Sequence, residues 1–570
     1  KYSTNWYDLI LNDNAPFTDV NLTLSSGRGP IRSVVSAGYY KEDGILQYTD
    51  YDRTSLRVNL AGDVNKFITM GVNLAGSYAR SSLANTDGRS NIVGGSLIMD
   101  PRFPAYDEKG ELIPYYNGTD GVFGFPNPLF VLKNLKRNRN IADLLASGYA
   151  EITLLKGLKF RSSLNARINY NTYKEYVPST IGLPVQNGTN GAPPRIATQR
   201  DDSEELRNYA ADQLLTYATT FNENHRFDVL AGFSAQQETV KGLYGSGNTY
   251  PDDLVPFLSA ASIRSSNSME RTWTMLAYIA RANYSFKDKY LLSASWRREG
   301  SSRFSADNKY GNFPAVSAGW RVSEETFFPK TAWVNDLKLR GSWGKTGNNS
   351  YAMAPAAGFG IGQNAGSDGN YASQAFLGIN NYILGNQLVP GKVVTSFANT
   401  ELGWEMSDQL DLGMDLSMFS NRLTFTFEYY NKITTDMLLN VPIPSVSGFT
   451  NSLANVGKVR NRGIELAGDF RTKIGPVNFR SNANISFNRS KILAIKGAND
   501  FILQGSFYGG YNIQQVGQPI GMIFGYEKLG IFNTQAEIDA APKQDGVIPG
   551  GMRFRDIDGN GEVTYDTRDM

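Results

Sequence analysis

The chain has 570 residues and a net charge of +2, with charged residues at 19%, aromatics at 12% and 57 glycines. Soluble domains usually carry about 25% charged residues and about 7% glycine. The balance here suits a wall with one apolar and one hydrogen-bonding face, and at a net charge of +2 nothing argues for a nucleic-acid partner, which would want a basic face. Cysteine is absent and His225 is the single histidine, which excludes thiol catalysis, disulfides, cysteine-ligated metals and multi-histidine sites. No apolar run reaches the about 18 residues of a membrane helix, and no composition shift marks a linker. No charged-then-apolar leader opens the sequence, which reads as a fragment or processed product.

In chain order, alternation of apolar and polar residues predicts strands over 31–41, 56–60, 67–81, 158–172, 208–222, 227–237, 272–286, 290–298, 313–322, 337–345, 409–419, 423–429, 463–471 and 477–488. In 158–172, Leu158, Phe160, Leu164, Ala166, Ile168 and Tyr170 alternate with Lys159, Arg161, Ser163, Asn165, Arg167 and Asn169. Segment 204–221 also carries a helical stripe (Leu206, Ala210, Leu214, Tyr217), but it leads into a turn and another alternating run and is read as strand. Thr534-Gln-Ala-Glu537 is a capping box and predicts a short helix over 534–541.

Successive strand side chains face opposite ways, so each ribbon has an apolar and a polar side. Soluble strands run about 5–6 residues, whereas a membrane-crossing strand needs about 9–11, and the polar sides here are rich in Arg, Lys and Asn. Tight turns are expected at Lys156-Gly157, Asn222-Glu-Asn-His-Arg226, Lys287-Asp-Lys289, Ser420-Asn-Arg422 and Gly475-Pro476. Long Gly/Pro/Asn-rich stretches fall at 82–140, 174–207, 238–270, 347–400, 438–455 and 492–525. Short turns on one rim and long loops on the other are the asymmetry of outer-membrane barrels. Aromatics near strand ends (Tyr39, Tyr40, Tyr149, Tyr170, Tyr173, Tyr284, Phe286, Tyr290, Trp296, Trp320, Tyr429) are candidate membrane girdles. Ordinary β-propensity packing is the alternative. The expected fold is all-β: a large antiparallel transmembrane β-barrel with long extracellular loops and short periplasmic turns.

Several stretches then carry a more specific signal. They are Arg297-Arg-Glu-Gly-Ser-Ser-Arg-Phe304, Tyr310-Gly-Asn-Phe-Pro-Ala-Val-Ser-Ala-Gly-Trp-Arg-Val-Ser-Glu-Glu325, Leu337-Lys-Leu-Arg-Gly-Ser-Trp-Gly-Lys-Thr-Gly-Asn348, Leu402-Gly-Trp-Glu405, Leu410-Asp-Leu-Gly-Met-Asp415, Tyr429-Tyr-Asn-Lys432, Ser447-Gly-Phe449, Asn455-Val-Gly-Lys-Val-Arg-Asn-Arg-Gly-Ile-Glu-Leu466 and Phe554-Arg-Asp-Ile-Asp-Gly-Asn-Gly561. In this collinear order they resemble the SusC/RagA class of TonB-dependent outer-membrane transporters. The resemblance implies a plugged barrel of about 22 strands that imports oligosaccharides or peptides. It also implies a SusD-like surface lipoprotein over the mouth and energy delivered by the TonB complex through an N-terminal region. Residues 1–570 are expected to be barrel domain alone, about sixteen of those about 22 strands, without the plug, the TonB-contacting segment or the last strands. Such a chain should not close a barrel by itself. The location implied is the bacterial outer membrane, in contact with lipid and lipopolysaccharide. Siderophore or vitamin uptake, and a surface adhesin without transport, are the alternatives; no catalytic constellation argues for an enzyme.

Asp556-Ile-Asp-Gly-Asn-Gly-Glu562 has the spacing of a calcium loop, with Asp556, Asp558 and Asn560 as oxygen donors and Glu562 at the backbone-carbonyl position. Thr567 stands where the bidentate acid belongs, and Asp566 or Asp569 would need a shifted geometry. A loop tightened without metal is the competing reading, and no cofactor is required. His225 reads as a turn residue. Substrate contacts are assigned to loop aromatics, on which sugar rings stack: Phe103, Tyr106, Tyr115, Tyr116, Phe123 and Phe125. Loop-to-loop packing is the alternative for each.

Overall fold

The computed structural model describes the chain apart from residues 1, 28, 87–91, 117–124, 182, 185–194, 330–332, 351–368, 397, 450, 497–500, 508–509 and 565–570. Sixteen strands form one sheet in which neighbours follow chain order. They are β1 (Phe17–Ser26), β2 (Ile31–Asp43), β3 (Asp50–Asp63), β4 (Ile68–Ser82), β5 (Lys136–Leu155), β6 (Leu158–Val177), β7 (Thr198–Phe221), β8 (His225–Asn248), β9 (Ile263–Phe286), β10 (Tyr290–Ser301), β11 (Tyr310–Arg321), β12 (Val334–Asn348), β13 (Glu405–Met418), β14 (Leu423–Pro442), β15 (Asn451–Ile474) and β16 (Val477–Ile495). The chain divides into two compact units: one holds β1–β6 and most of β7–β9, the other the remainder of those strands and β10–β16.

In the first unit Leu24, Val35, Val58, Leu74, Ala146, Ala166 and Tyr209 are successive partners from strand to strand. This row is open, with Leu24 65% exposed, and Leu164 in the same face is also 65% exposed. One residue along, Asn59, Asn73, Ser147 and Asn165 form the opposite row. In the second unit Leu292, Ala318, Gly341, Leu412, Tyr429, Ile464 and Phe487 repeat the apolar row, and Ser293, Ser317, Ser342 and Asp411 the polar one. Phe487 is 59% exposed. Large apolar side chains left in the open along strand after strand are untenable in water and are explained by acyl chains as their solvent. Among the described residues they are not packed against a second sheet. The polar face is the bore side.

β7, β8, β9 and β15 each run 24 residues, far beyond the about 9–11 that cross a bilayer. Their surplus stands at the long-loop rim, where both faces meet water. On the side of the apolar row Lys174 and Asp201 are register partners, while on the bore side Glu175 pairs with Arg137 at 2.5 Å and Asp202 with Arg200. Two-sided polarity erases the alternation, so 174–207 and 438–455 read as loops although strand continues to Val177 and Pro442 and resumes at Thr198 and Asn451. β1 and β5 were absent from the expected strands. β5 puts Ala142, Leu144, Ala146, Gly148, Ala150 and Ile152 on the apolar face and Ile141 and Leu145 on the other, so its hydrophobic period is blurred. β1 does alternate Val20, Leu22 and Leu24 with Asp19, Asn21 and Thr23, a signal that was available.

The expected tight turns are present, with positive φ at Gly157, Asn222, Glu223, Lys287, Asp288, Ser420, Asn421 and Gly475, the backbone that matches the twist of hairpin strands. The candidate girdle splits by parity. Tyr39 and Tyr170 share an exposed row with Tyr78, whereas Tyr149 lies on the bore side beneath the Arg161 guanidinium, 3.9 Å from its ring centre. Short helices at Trp6–Ile10 (α1), Ile92–Ile98 (α2) and Pro128–Asn134 (α3) had no counterpart in the sequence pattern. The expected helix is present as α4 (Gln535–Asp539), capped by Thr534, with Glu537 reaching back to the Asn533 amide at 2.8 Å.

Candidate functional site

The bore wall follows from the pleat: residues that alternate with the apolar row converge on one side and must find partners. In the first unit Asn165 accepts from the Ser147 hydroxyl at 2.7 Å and donates to Asp212 at 3.1 Å, and Ser234 donates to Asp212 at 2.6 Å. Arg167 and Asn169 both reach Asp143, at 3.0 and 3.1 Å. In the second unit Ser293 donates to Asn283 at 2.7 Å and Asn283 to Asp228 at 3.0 Å. Asp228, Asn283 and Ser293, with Ser317, Lys338, Arg340, Ser342 and Asp411 and the apolar Leu291, Leu292 and Ala318, line a recess of about 460 Å³.

Arg340 on β12 ion-pairs with Glu428 on β14 at 2.8 Å and with Asp415 at 3.5 Å. To reach β14 its guanidinium crosses β13 above Gly413, where a Cβ would sit 2.5 Å from the Arg340 Cζ. Glycine is therefore required there because another residue's side chain occupies its face. No sequence motif announced this crossing, although the register Arg340–Gly413–Glu428 contains it.

At the long-loop rim, residues from 4–12, 92–116 and 125–135 build a small core of their own. Trp6 is 2% exposed and packs with Met99, Ala105, Tyr116 and Phe103. Its indole donates to the Asp100 carbonyl at 3.1 Å, and Thr4 donates to the Phe103 carbonyl at 2.6 Å. Two of the expected substrate-contact aromatics meet in this core. Phe103 stacks on Tyr116 at 4.8 Å, and Tyr116 stands edge-on to Trp6 at 5.8 Å. The Tyr116 hydroxyl donates to the Pro104 carbonyl, and burial pushes the phenol up to about 12. Both rings are thus engaged in packing. Tyr106 is exposed and bridges to Leu112, while Tyr115 is half-buried. Phe123 lies outside the described residues; Phe125 contributes backbone to a two-residue ladder with Tyr116. Trp6, the centre of the cluster, was missed because it precedes the first strand and belongs to no periodic run.

A second anchor holds the connection between β8 and β9. Asp253 accepts from the Ser179 amide at 2.9 Å, the Ser179 hydroxyl at 2.6 Å and the Tyr176 hydroxyl at 2.7 Å. Burial pushes its carboxyl up, but the bonds from Ser179 and Tyr176 outweigh it and hold the group below the ordinary carboxylate range. His225 opens β8 rather than lying free in the turn, with Nδ1 2.8 Å from the Tyr284 hydroxyl and its ring 4.7 Å from Phe286.

The acidic loop closes on itself. Asp556 accepts from the Gly559 and Gly561 amides at 2.7 and 2.8 Å, Asp558 from the Asn560 amide at 3.1 Å, and Asn560 from the Glu562 amide at 2.8 Å. Glu562 pairs with Lys543 at 2.8 Å, which holds that ammonium above its ordinary pKa. No group of three or more metal-ligating side chains assembles among the described residues; Asp566, Thr567 and Asp569 lie outside them.

The chain matches the family described as TonB dependent receptor-like, beta-barrel, over residues 115–561. It is 26% identical to TonB-dependent receptor P3 of Formosa agariphila across 99% of this chain and 54% of that protein. TonB-dependent receptor SusC of Bacteroides thetaiotaomicron is 26% identical across 87% of this chain and 49% of that one. The chain thus spans about half the length of these relatives. Among solved structures the RagAB peptide transporter superimposes with a TM-score of 0.79 at 22% identity, over 100% of this chain and 59% of that one. At that identity the likeness is one of fold.

Proposed function

Because the chain belongs to the TonB-dependent receptor-like β-barrel family of the outer membrane, we propose that it is the barrel portion of an importer for oligosaccharides, driven through TonB. The family's members are receptors and transporters rather than enzymes. The observation that carries the proposal is the two-faced sheet: an exposed apolar row on one side and hydroxyls, amides, carboxylates and guanidinia on the other. A water-filled conduit through lipid needs that division. The bore-side row Ser293, Ser317, Ser342 and Asp411 offers closely spaced hydrogen-bond partners for a polyhydroxylated cargo. The likeness to a receptor named SusC supports a SusD-like lipoprotein at the mouth. Of the loop aromatics, Tyr106 keeps an exposed face for a sugar ring.

Peptides are the second reading, favoured by the fold likeness to a peptide transporter. The test is uptake by cells expressing the full-length receptor or lacking it, supplied with labelled oligosaccharides, peptides or ferric siderophores, with and without TonB. Receptor- and TonB-dependent uptake of an oligosaccharide supports the proposal. Uptake restricted to peptides or siderophores, or adhesion without uptake, would replace it.

A further inference from the structure

Motifs that carried the family resemblance meet at one place on the long-loop rim of the second unit. Residues 399–404, which lead into β13, run as a strap across the neighbouring connections. On one side the Ser305 hydroxyl donates to the Thr400 carbonyl at 2.5 Å, the Asn308 amide to the Glu401 carbonyl at 3.0 Å, and the Trp404 indole to the Lys309 carbonyl at 3.0 Å. Trp404 is buried between Phe304 at 5.5 Å and Phe313 at 5.2 Å. On the other side the Asn399 amide donates to the Leu453 carbonyl at 2.8 Å.

The strap's fixed point is Asn455. Its Oδ1 accepts from the Gly403 amide at 2.9 Å, and its Nδ2 donates to the Gly403 carbonyl at 3.0 Å and to the Asp436 carbonyl at 2.7 Å. Both amide donors and the amide oxygen are thereby used. Asp436 has φ of 55° without being glycine, inside a register break of β14 between Thr434 and Met437. Such a conformation persists only where the surroundings enforce it. Gly457, two residues beyond Asn455, lies against this bulge, and a Cβ there would stand 2.9 Å from the Met437 Cβ. Just upstream of the strap, ladders Leu377–Ile379 with Lys392–Val394 and Tyr382–Leu384 with Gln387–Val389 form an exposed hairpin.

We infer that Asn455 is the pin of a strap that makes the connections at 302–309, 399–404 and the β14 bulge one mechanical body. Releasing Asn455 frees the strap and the bulge together. Asn455 is a positioning residue, acting through backbone groups of Gly403 and Asp436.

Hydrogen exchange on the full-length receptor tests this, comparing wild type with Asn455→Ala and Asn455→Asp. Asn455→Ala should speed exchange about tenfold at both 402–404 and 436–438, segments far apart in sequence, while the centre of β10 stays protected. Asn455→Asp keeps the acceptor for the Gly403 amide but sets a carboxylate against the Gly403 and Asp436 carbonyls. It should loosen 436–438 while leaving the Gly403 amide slow. Loosening confined to 453–457 in the alanine variant, or equal behaviour of the two variants at Gly403, would overturn the inference. Loss of protection in β10 as well would identify a general folding residue and overturn it too.

Discussion

The substitution Leu164→Arg, set against changes at the adjacent Asn165, gives the orientation of the sheet a number. Leu164 is 65% exposed on the apolar face of β6. It stands six residues beyond Leu158, where the strand leaves its tight turn. A rise of about 3.3 Å per residue and a tilt of about 40° put it about 15 Å along the membrane normal, near the middle of an apolar band about 25 Å tall. An arginine there should cost about 2–4 kcal/mol, which is about 30- to 700-fold in the folding equilibrium. Asn165→Ala removes bonds to Ser147 and Asp212, each worth about 0.5–1.5 kcal/mol, with water in the bore able to replace them. Asn165→Arg should cost less still, because a charge there stays hydrated and faces Asp212. The assay is reversible urea unfolding of the full-length receptor in lipid vesicles, followed by tryptophan fluorescence and heat-dependent gel mobility. Equal costs for the two arginine variants, or a larger one at 165, would refute the assignment of faces.

Other perturbations test separate parts. Gly413→Val should displace the Arg340 guanidinium and break its pair with Glu428; in urea unfolding its cost should fall by about 1 kcal/mol when Glu428→Gln is already present, and full additivity would contradict the crossing. Trp6→Ala should open the rim core, at a local cost of about 3–5 kcal/mol, and make 83–135 sensitive to limited proteolysis while the sheet survives. The Asp253 carboxyl is held low, so its anchoring contribution is complete above the unfolded value of about 3.9 and is lost as pH falls through the lower folded value. Proteolysis of 249–262 should therefore be unchanged from pH 8 to pH 5 and rise only below about pH 4, whereas Asp253→Asn should raise it throughout. The acidic loop already satisfies its oxygens, so calcium titration of wild type and Asp556→Ala by calorimetry should give indistinguishable traces; saturable heat lost in the variant would assign a calcium site.

The membrane-crossing core of each strand was legible because two solvents act on its two faces: Leu158, Leu164 and Ile168 against Lys159, Asn165 and Asn169 is a pattern only a two-sided wall requires. Above the membrane that constraint lapses, so the polar tops of β6, β7, β14 and β15 read as loops. β5 escaped because four of the six residues on its apolar face from 142 to 152 are alanine or glycine, which carry little hydropathic signal, while Ile141 and Leu145 stand on the other face. Site residues were legible only as types. An aromatic in a loop is the same letter whether it meets a sugar or, like Phe103 and Tyr116, another ring. Trp6, Asp253, Asn455 and the Arg340–Gly413–Glu428 crossing depend on contacts between distant segments, which no local period encodes.

The cysteine-free sequence permits the most direct test, single-cysteine labelling in intact outer membranes. Cysteines at Leu164, Leu292 and Ile485 should resist a water-soluble, membrane-impermeant maleimide. Cysteines at the adjacent Asn165, Ser293 and Asn484 should react once the reagent reaches the bore. Strong labelling of the first set and protection of the second would contradict the account at its root.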